Sequence, residues 1–300
     1  MLKVLTRFII FILLSSSCIG LFAQDEGYSW WNNKHNWDGV TNWMYYLKYA
    51  PKYFGPNALP VPEIRNALIE DRISLETRAD LHFSKGDNTQ NLFFKLKYPF
   101  WEGRLALEIY AVPVEFYKMD TLTRDERVSR DKDGEGYAVG DLYFGTLIQI
   151  VKGHKSWPDL LLGITMRTAS GGNLGGARYT DAPGYYFDLS AGKTFFSDKK
   201  VSLRPYAMLG FYVWQTNRDD WRQNDAFLYG LGLSLFNQKF ECNAKYGGYK
   251  GYIGNGDAPM VFRANVIYKL PKTHFKLAFQ QGLQDFDYST ISLGAVFYFK

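Results

Sequence analysis

The chain ends Asp287-Tyr288-Ser289-Thr290-Ile291-Ser292-Leu293-Gly294-Ala295-Val296-Phe297-Tyr298-Phe299-Lys300. Taken by twos, Ile291, Leu293, Ala295, Phe297 and Phe299 make one wholly apolar face. Thr290, Ser292, Gly294, Val296 and Tyr298 make the other, mostly small or polar. Alternation at period two, carried by β-branched and aromatic residues, predicts a strand with two unlike faces.

The same pattern recurs upstream. The run 72–84 sets Ile73, Leu75, Thr77, Ala79, Leu81 and Phe83 against Arg72, Ser74, Glu76, Arg78, Asp80 and His82. A soluble core does not accept so charged a face, because burying unpaired charge is costly. Further strands are expected over about 89–98, 104–117, 139–151, 159–168, 184–196, 201–216, 225–236, 240–249, 260–269 and 273–283, which with the closing strand makes twelve. An even number suits a single-chain barrel whose two ends lie on one side of a membrane. The connections agree. Those after even strands, such as 99–103, 197–200, 237–239 and 271–272, are mostly short. Those after odd strands, about 118–138, 170–183, 217–224 and 250–258, are mostly longer, charged or Gly-rich. The fold class read from this is all-β: a transmembrane antiparallel up-and-down barrel of about twelve strands over 71–300, preceded by a non-barrel segment over 24–70.

Composition fits without deciding the matter. Aromatic residues are 18% of the chain, suited to interfacial girdles, and no apolar run beyond residue 23 is long enough for a membrane helix. At the amino terminus Lys3 and Arg7 precede an apolar core from Phe8 to Leu14, and Leu21-Phe22-Ala23 offers a cleavage site before Gln24. Residues 1–23 are therefore expected to be a secretory signal peptide. A lipoprotein reading through Ser15-Ser16-Ser17-Cys18 is the weaker alternative. The remaining chain carries 33 basic against 30 acidic side chains, which does not point to nucleic acid. Cys242 is then its one cysteine, so no internal disulfide is expected to staple it.

The segment 24–70 does not alternate. It holds Trp30, Trp31, Trp37 and Trp43, and Asp38 is expected to cap a helix with Val40, Trp43, Met44 and Leu47 on one face, stopped by Pro51. Gly55-Pro56-Asn57-Ala58-Leu59-Pro60-Val61-Pro62 is expected to be extended. Three uses are open: a plug packed at the periplasmic mouth, an interfacial helix, or tryptophans stacked on a sugar.

Taking the polar face of each strand as the lumen, the candidate lining residues are Arg72, Glu76, Arg78, Asp80, His82, Lys95, Lys97, Glu108, Asp141, Asp159, Arg167, Asp188, Arg204, Glu241, Lys245, Arg263 and Lys276. Near-balanced opposite charges either pair into a filled interior or line a wet pore and tune its selectivity.

Catalytic and metal motifs are weak. Gly192-Lys193-Thr194 has Phe187 where a phosphate loop needs Gly, and Asp131-Lys132-Asp133-Gly134-Glu135-Gly136 has Leu142 where a calcium loop needs Glu. The Gly-rich stretch 170–176 is flexible loop chemistry that could fold into the mouth. His82-Phe83-Ser84 and His154-Lys155-Ser156 share His-x-Ser with the outer-membrane phospholipase family. Neither continues with the Asn-Gly of that family, and His82 and Ser84 face the lumen. No enzyme, metal or cofactor is expected.

The closing strand, ending on Phe299 with only Lys300 beyond, resembles the terminal strand of bacterial outer-membrane barrels. There the last aromatic belongs to the signal read by the assembly machinery. With Leu21-Phe22-Ala23-Gln24, the Gly55–Pro62 stretch and Gly140-Asp141-Leu142-Tyr143-Phe144-Gly145, the mature chain resembles porin-like outer-membrane barrels of Bacteroidetes-type bacteria. The resemblance implies an outer-membrane location, contact with membrane lipid and lipopolysaccharide, and handling by the barrel assembly machinery. The expected function is passage of small polar solutes. A non-conducting barrel acting through loops 118–138 and 170–183 is second, and a lipid hydrolase third.

Overall fold

A computed structural model describes residues 27–197 and 199–299. The expected signal peptide, the Cys18 alternative and terminal Lys300 lie outside the described residues. The chain divides into two compact units at Val40/Thr41. In the first, a helix spans Ser29–Lys34, with the Trp31 and His35 rings 5.1 Å apart. The helix expected from Asp38 does not form. Gly39 takes a positive φ of 78°, and Asp38 Oδ1 instead accepts from the Val40 N–H at 2.9 Å, a local turn that competes with helix. Beyond it, in the second unit, only a 3-10 turn, Trp43–Tyr46, remains of the predicted element.

The second unit is a barrel. Its strands are β1 (Ile73–Ser84), β2 (Asp87–Phe100), β3 (Leu105–Met119), β4 (Glu135–Ala138), β5 (Leu142–Val151), β6 (Asp159–Arg167), β7 (Gly184–Gly192), β8 (Ser202–Gln215), β9 (Gln223–Phe236), β10 (Phe240–Gly251), β11 (Met260–Lys269), β12 (Thr273–Gln284) and β13 (Ser289–Phe299). Twelve of them form a ring of antiparallel neighbours. The ring closes where β13 meets β1, from Ile73↔Phe299 to Phe83↔Ser289. The short β4 is the addition: it pairs only with the outer end of β3, Glu115↔Ala138 to Lys118↔Glu135. Closure matters physically because in lipid every backbone polar group needs a partner and an open edge has none.

Alternation places side chains as the pattern predicts. Ile291, Leu293, Phe297 and Phe299 are exposed on the outer face, while Thr290 and Ser292 are buried inside. Leu81, Leu92, Leu107, Phe144, Ile164, Phe211, Leu231 and Phe275 continue the apolar belt around the wall. One end carries the short turns, such as 237–239 and 270–272, and the other the longer loops. The β1–β2 connection at the loop end is an exception, a two-residue turn at Lys85-Gly86 with Gly86 at φ 98°.

What the alternation did not predict is how the interior is filled. Residues 41–54 lie at the loop end, where the Trp214 indole N–H donates to the Tyr49 carbonyl at 3.2 Å and the Arg218 guanidinium bonds the Tyr45 carbonyl. From Gly55 the chain descends inside the ring. Its Leu59 carbonyl meets the Tyr249 hydroxyl, its Asn66 carbonyl meets Arg204, and its Ile69 N–H meets Gln149 at the short-turn end, just before β1 begins. The segment therefore crosses the barrel from the loop end to the short-turn end.

The wall is shaped to receive it. Ile64 lies against Gly230 and Gly247, where an added Cβ would stand 2.2 Å and 2.6 Å from its Cδ1. Leu59, Val61 and Ile64 join Tyr206, Met208, Trp214, Leu228 and Tyr249 in a hydrophobic core enclosed by the ring. Overpacking such a contact costs about 1–3 kcal/mol. Gly230→Leu should lower the urea midpoint of the folded barrel accordingly, and Ile64→Ala in the same chain should recover part of the loss. Equal midpoints for Gly230→Leu and the parent would show that Ile64 does not occupy this place.

Candidate functional site: the barrel interior

Inside the ring, the descending segment lies on the β8–β10 side, and charged side chains crowd the rest. Arg65 is the hub. Its Nη1 is 2.9 Å from Glu108 Oε2 on β3 and its Nε is 3.1 Å from Asp188 Oδ2 on β7. Lys95 on β2 reaches the other Glu108 oxygen at 2.9 Å. A second group spans the ring closure: Arg78 pairs with Asp80 at 2.7 Å and Glu76 at 3.5 Å, and Lys276 with Glu76 at 3.0 Å. Lys245 holds Glu63 at 2.9 Å. Arg263 is held differently, by Gln280 Oε1 at 2.6 Å and the carbonyls of Val61 and Pro62 at 2.6 and 2.9 Å.

These groups surround a cavity of about 190 Å³, bounded on one side by Pro56–Arg65 and on the other by the polar wall, with Tyr110, Tyr143, Tyr186 and Tyr212 along it. The rings of Tyr110 and Tyr143 stack at 4.5 Å, and the Tyr110 and Tyr186 hydroxyls are 2.6 Å apart. Phe286 lines both this cavity and a cleft of about 460 Å³ at the loop end that also touches Lys52, Lys85 and Arg127.

The loop end carries its own buried network. Arg178, on the Gly-rich loop after β6, pairs with Asp87 at 2.7 Å and Glu115 at 2.6 Å, while Arg127 reaches Asp87 at 2.6 Å. Asn57 donates to Glu115 at 2.6 Å and the Gly55 N–H to the Ala177 carbonyl at 2.9 Å, so the folded-in loop and the inner segment are tied together.

The predicted lining residues thus divide. Glu76, Arg78, Asp80, His82, Lys95, Glu108, Asp188, Lys245, Arg263 and Lys276 gather at or behind the central cavity. Lys97 pairs across the strands with Glu108, toward the short turns. Asp141 and Arg167 meet at 3.8 Å under the Gly-rich loop, and Arg167 bonds the Ala58 carbonyl. Asp159 with Arg204 at 2.9 Å, and Glu241 with Lys269 at 2.6 Å, sit nearer the short turns. Arg72 precedes β1 at that rim, exposed and stacked 3.8 Å over the Tyr298 ring.

Two kinds of interior residue escaped the alternation, and a third obeyed it without being named. Glu63, Arg65 and Arg178 lie on segments with no strand period. Tyr110, Tyr143, Tyr186 and Tyr212 share the parity of Glu108, Asp141, Asp188 and Arg204, so the alternation does turn them inward; they went unnamed because the lining was chosen by charge. Glu115 was hidden by a β-bulge near Pro113: the β2–β3 register shifts between Leu92/Phe94, so Glu108 and the odd-numbered Glu115 both point inward. Proline beside a bulge was the available signal.

The His-x-Ser pairs do not assemble. His82 contacts Thr290 Oγ1 at 2.8 Å and Asn91 Oδ1 at 2.7 Å, while the Ser84 hydroxyl donates to the Asp87 carbonyl. His154 accepts the backbone N–H groups of Ser156 and Trp157.

No family model and no curated protein matches the chain. Among solved structures it is similar to the COG4313 outer membrane channel from Pseudomonas putida F1, at 12% identity, covering 81% of this chain and 97% of that one with a TM-score of 0.52. The fold is that of an outer-membrane β-barrel. LpxR from Salmonella typhimurium (10% identity, 75% and 100% coverage, TM-score 0.47) and the KdgM porin (10%, 75% and 99%, 0.44) are more distant in shape.

Removing one partner of a buried pair leaves the other charge stranded, at about 3–5 kcal/mol. Arg65→Gln should therefore destabilise the barrel by about that much in urea titrations. Arg72→Gln, at an exposed pair with Glu70, should change it by less than about 1 kcal/mol. Similar effects for the two would remove Arg65 from its place at the centre of the network.

Proposed function

We propose that the protein is a narrow outer-membrane channel for small hydrophilic solutes, its bore set by its own amino-terminal segment. The observation carrying this is the cavity left between that segment and the β1–β3 and β10–β13 side of the wall, lined by six cationic side chains as well as by tyrosines. A ring of twelve strands is wide enough to admit a chain segment and still leave room for small solutes beside it, since diameter grows with strand number. The relative named as an outer membrane channel supports the same reading.

On this reading the short turns face the periplasm and the longer loops the exterior. The apolar belt meets outer-membrane lipid, the loop end lies among lipopolysaccharide, and the aromatic end of β13 is the feature presented to the assembly machinery. Residues 41–54 then stand at the cell surface, and the chain passes inward through the barrel before β1. A second reading, a closed barrel acting through its loops, is favoured by the Arg178 network that ties the Gly-rich loop over the interior. The hydrolase reading has no assembled Ser–His pair behind it.

Planar-bilayer recording of the refolded, signal-cleaved protein should give discrete, small steps, and Pro60→Ala, which trims the inner segment where it lines the cavity, should enlarge them. Silence from both chains would favour the closed barrel. For topology, Lys48→Cys in a Cys242→Ser background should react with a membrane-impermeant maleimide on intact cells. Labelling only after outer-membrane disruption would reverse the assignment of the two ends.

A further inference from the structure

Six cations line the central cavity, Arg65, Arg78, Lys95, Lys245, Arg263 and Lys276, against two carboxylates, Glu63 and Asp80. Adding the acids just behind the wall does not close the balance. Arg65 and Lys95 share Glu108, with Asp188 also on Arg65; Arg78 and Lys276 share Glu76, with Asp80 also on Arg78; Lys245 takes Glu63. That is five carboxylates for five cations. Among the described residues, Arg263 alone of the six has no ion pair.

Its surroundings sharpen the point. Three of the five guanidinium N–H donors are engaged, by one amide oxygen and two backbone carbonyls, which fix the plane without neutralising the charge. Directly across the β10–β11 ladder stands Lys245, also facing inward. Like charges opposite one another on a sheet are destabilising, and a guanidinium drawn out of bulk water with no carboxylate at ion-pair distance is more so; Glu63, whose charge reaches it, is already held by Lys245. A fold that holds Arg263 rigidly at the cavity wall under this electrostatic load has a site suited to an anion.

We infer that the cavity binds a small organic anion, with Arg263 as the anchoring cation and Lys245 beside it. The site rests on the cavity described above and deepens the channel reading by naming its solute class. A carboxylate matches a guanidinium edge bidentately, and charge-assisted hydrogen bonds of this kind are stronger than neutral ones. The stacked tyrosines along the wall offer an apolar surface for the carbon skeleton of such a solute.

The test is calorimetric titration of the folded, signal-cleaved protein in detergent micelles, with succinate as probe and succinamide as its uncharged counterpart. Saturable binding of succinate but not succinamide is expected. Arg263→Gln should weaken it by about tenfold or more, Arg263→Lys should keep most of it, and Arg222→Gln on an exposed loop should leave it unchanged. Gln280→Glu is the variant that folding cannot confound, since it places a carboxylate 2.6 Å from Arg263 Nε and should abolish binding while leaving the barrel at least as stable. No succinate binding, equal binding of succinamide, or undiminished binding in Arg263→Gln and Gln280→Glu would each overturn the proposal. Bilayer recordings separate it from the channel reading. Binding with silent bilayers keeps the anion site and removes the channel, whereas conductance steps without binding do the reverse.

Discussion

The bond from Arg65 to Glu108 and Asp188 is the constraint on which the rest of the interior depends. Arg65 belongs to the descending segment, Glu108 to β3 and Asp188 to β7, so one guanidinium ties the central strand of chain to two separated parts of the wall. Charges drawn away from water must be paired or the interior becomes unstable. Here the pairing also fixes where the inner segment runs. Because the segment is held to one side, a cavity lined by charged and aromatic side chains remains on the other.

That arrangement makes the barrel unlike a uniform pipe. On the β8–β10 side the inside of the wall is apolar, and Leu59, Val61 and Ile64 pack against it as residues do in a soluble core. On the β1–β3 and β11–β13 side the inside is charged and hydrogen-bonded. The outer face carries the exposed apolar belt. Hydrophobic packing and paired charge are thereby assigned to different arcs of one ring.

The loop end adds a second tie. Arg178 and Arg127 converge on Asp87, with the Tyr288 hydroxyl donating to the same carboxylate at 2.5 Å. Gly55 stands against the Arg178 side chain, where a Cβ would lie 2.6 Å from its Cζ. Loop and inner segment are therefore packed as one body at the mouth, while Phe286 on the opposite arc stands between the central cavity and the loop-end cleft.

The alternation repeated from residues 72–84 through to 290–299, with the short and long connections between the runs, was enough to determine a closed β-barrel of twelve wall strands and most of the side chains that turn inward, because a strand in lipid must show one apolar and one polar face. The same logic placed Glu76, Arg78, Lys95, Glu108, Arg263 and Lys276 inside. It failed where the period breaks. The bulge near Pro113 reversed the parity and concealed Glu115, Gly39 stopped a helix that the spacing of Val40, Trp43 and Leu47 suggested, and the Pro-rich 55–62 stretch carried no sign of what it packs against. Which charges pair, where the inner segment enters and why Arg263 lacks a carboxylate were decided only by tertiary structure. Many of those contacts join residues far apart in the chain, from 43 positions for Arg65 and Glu108 to 200 for Glu76 and Lys276, and no local period encodes them.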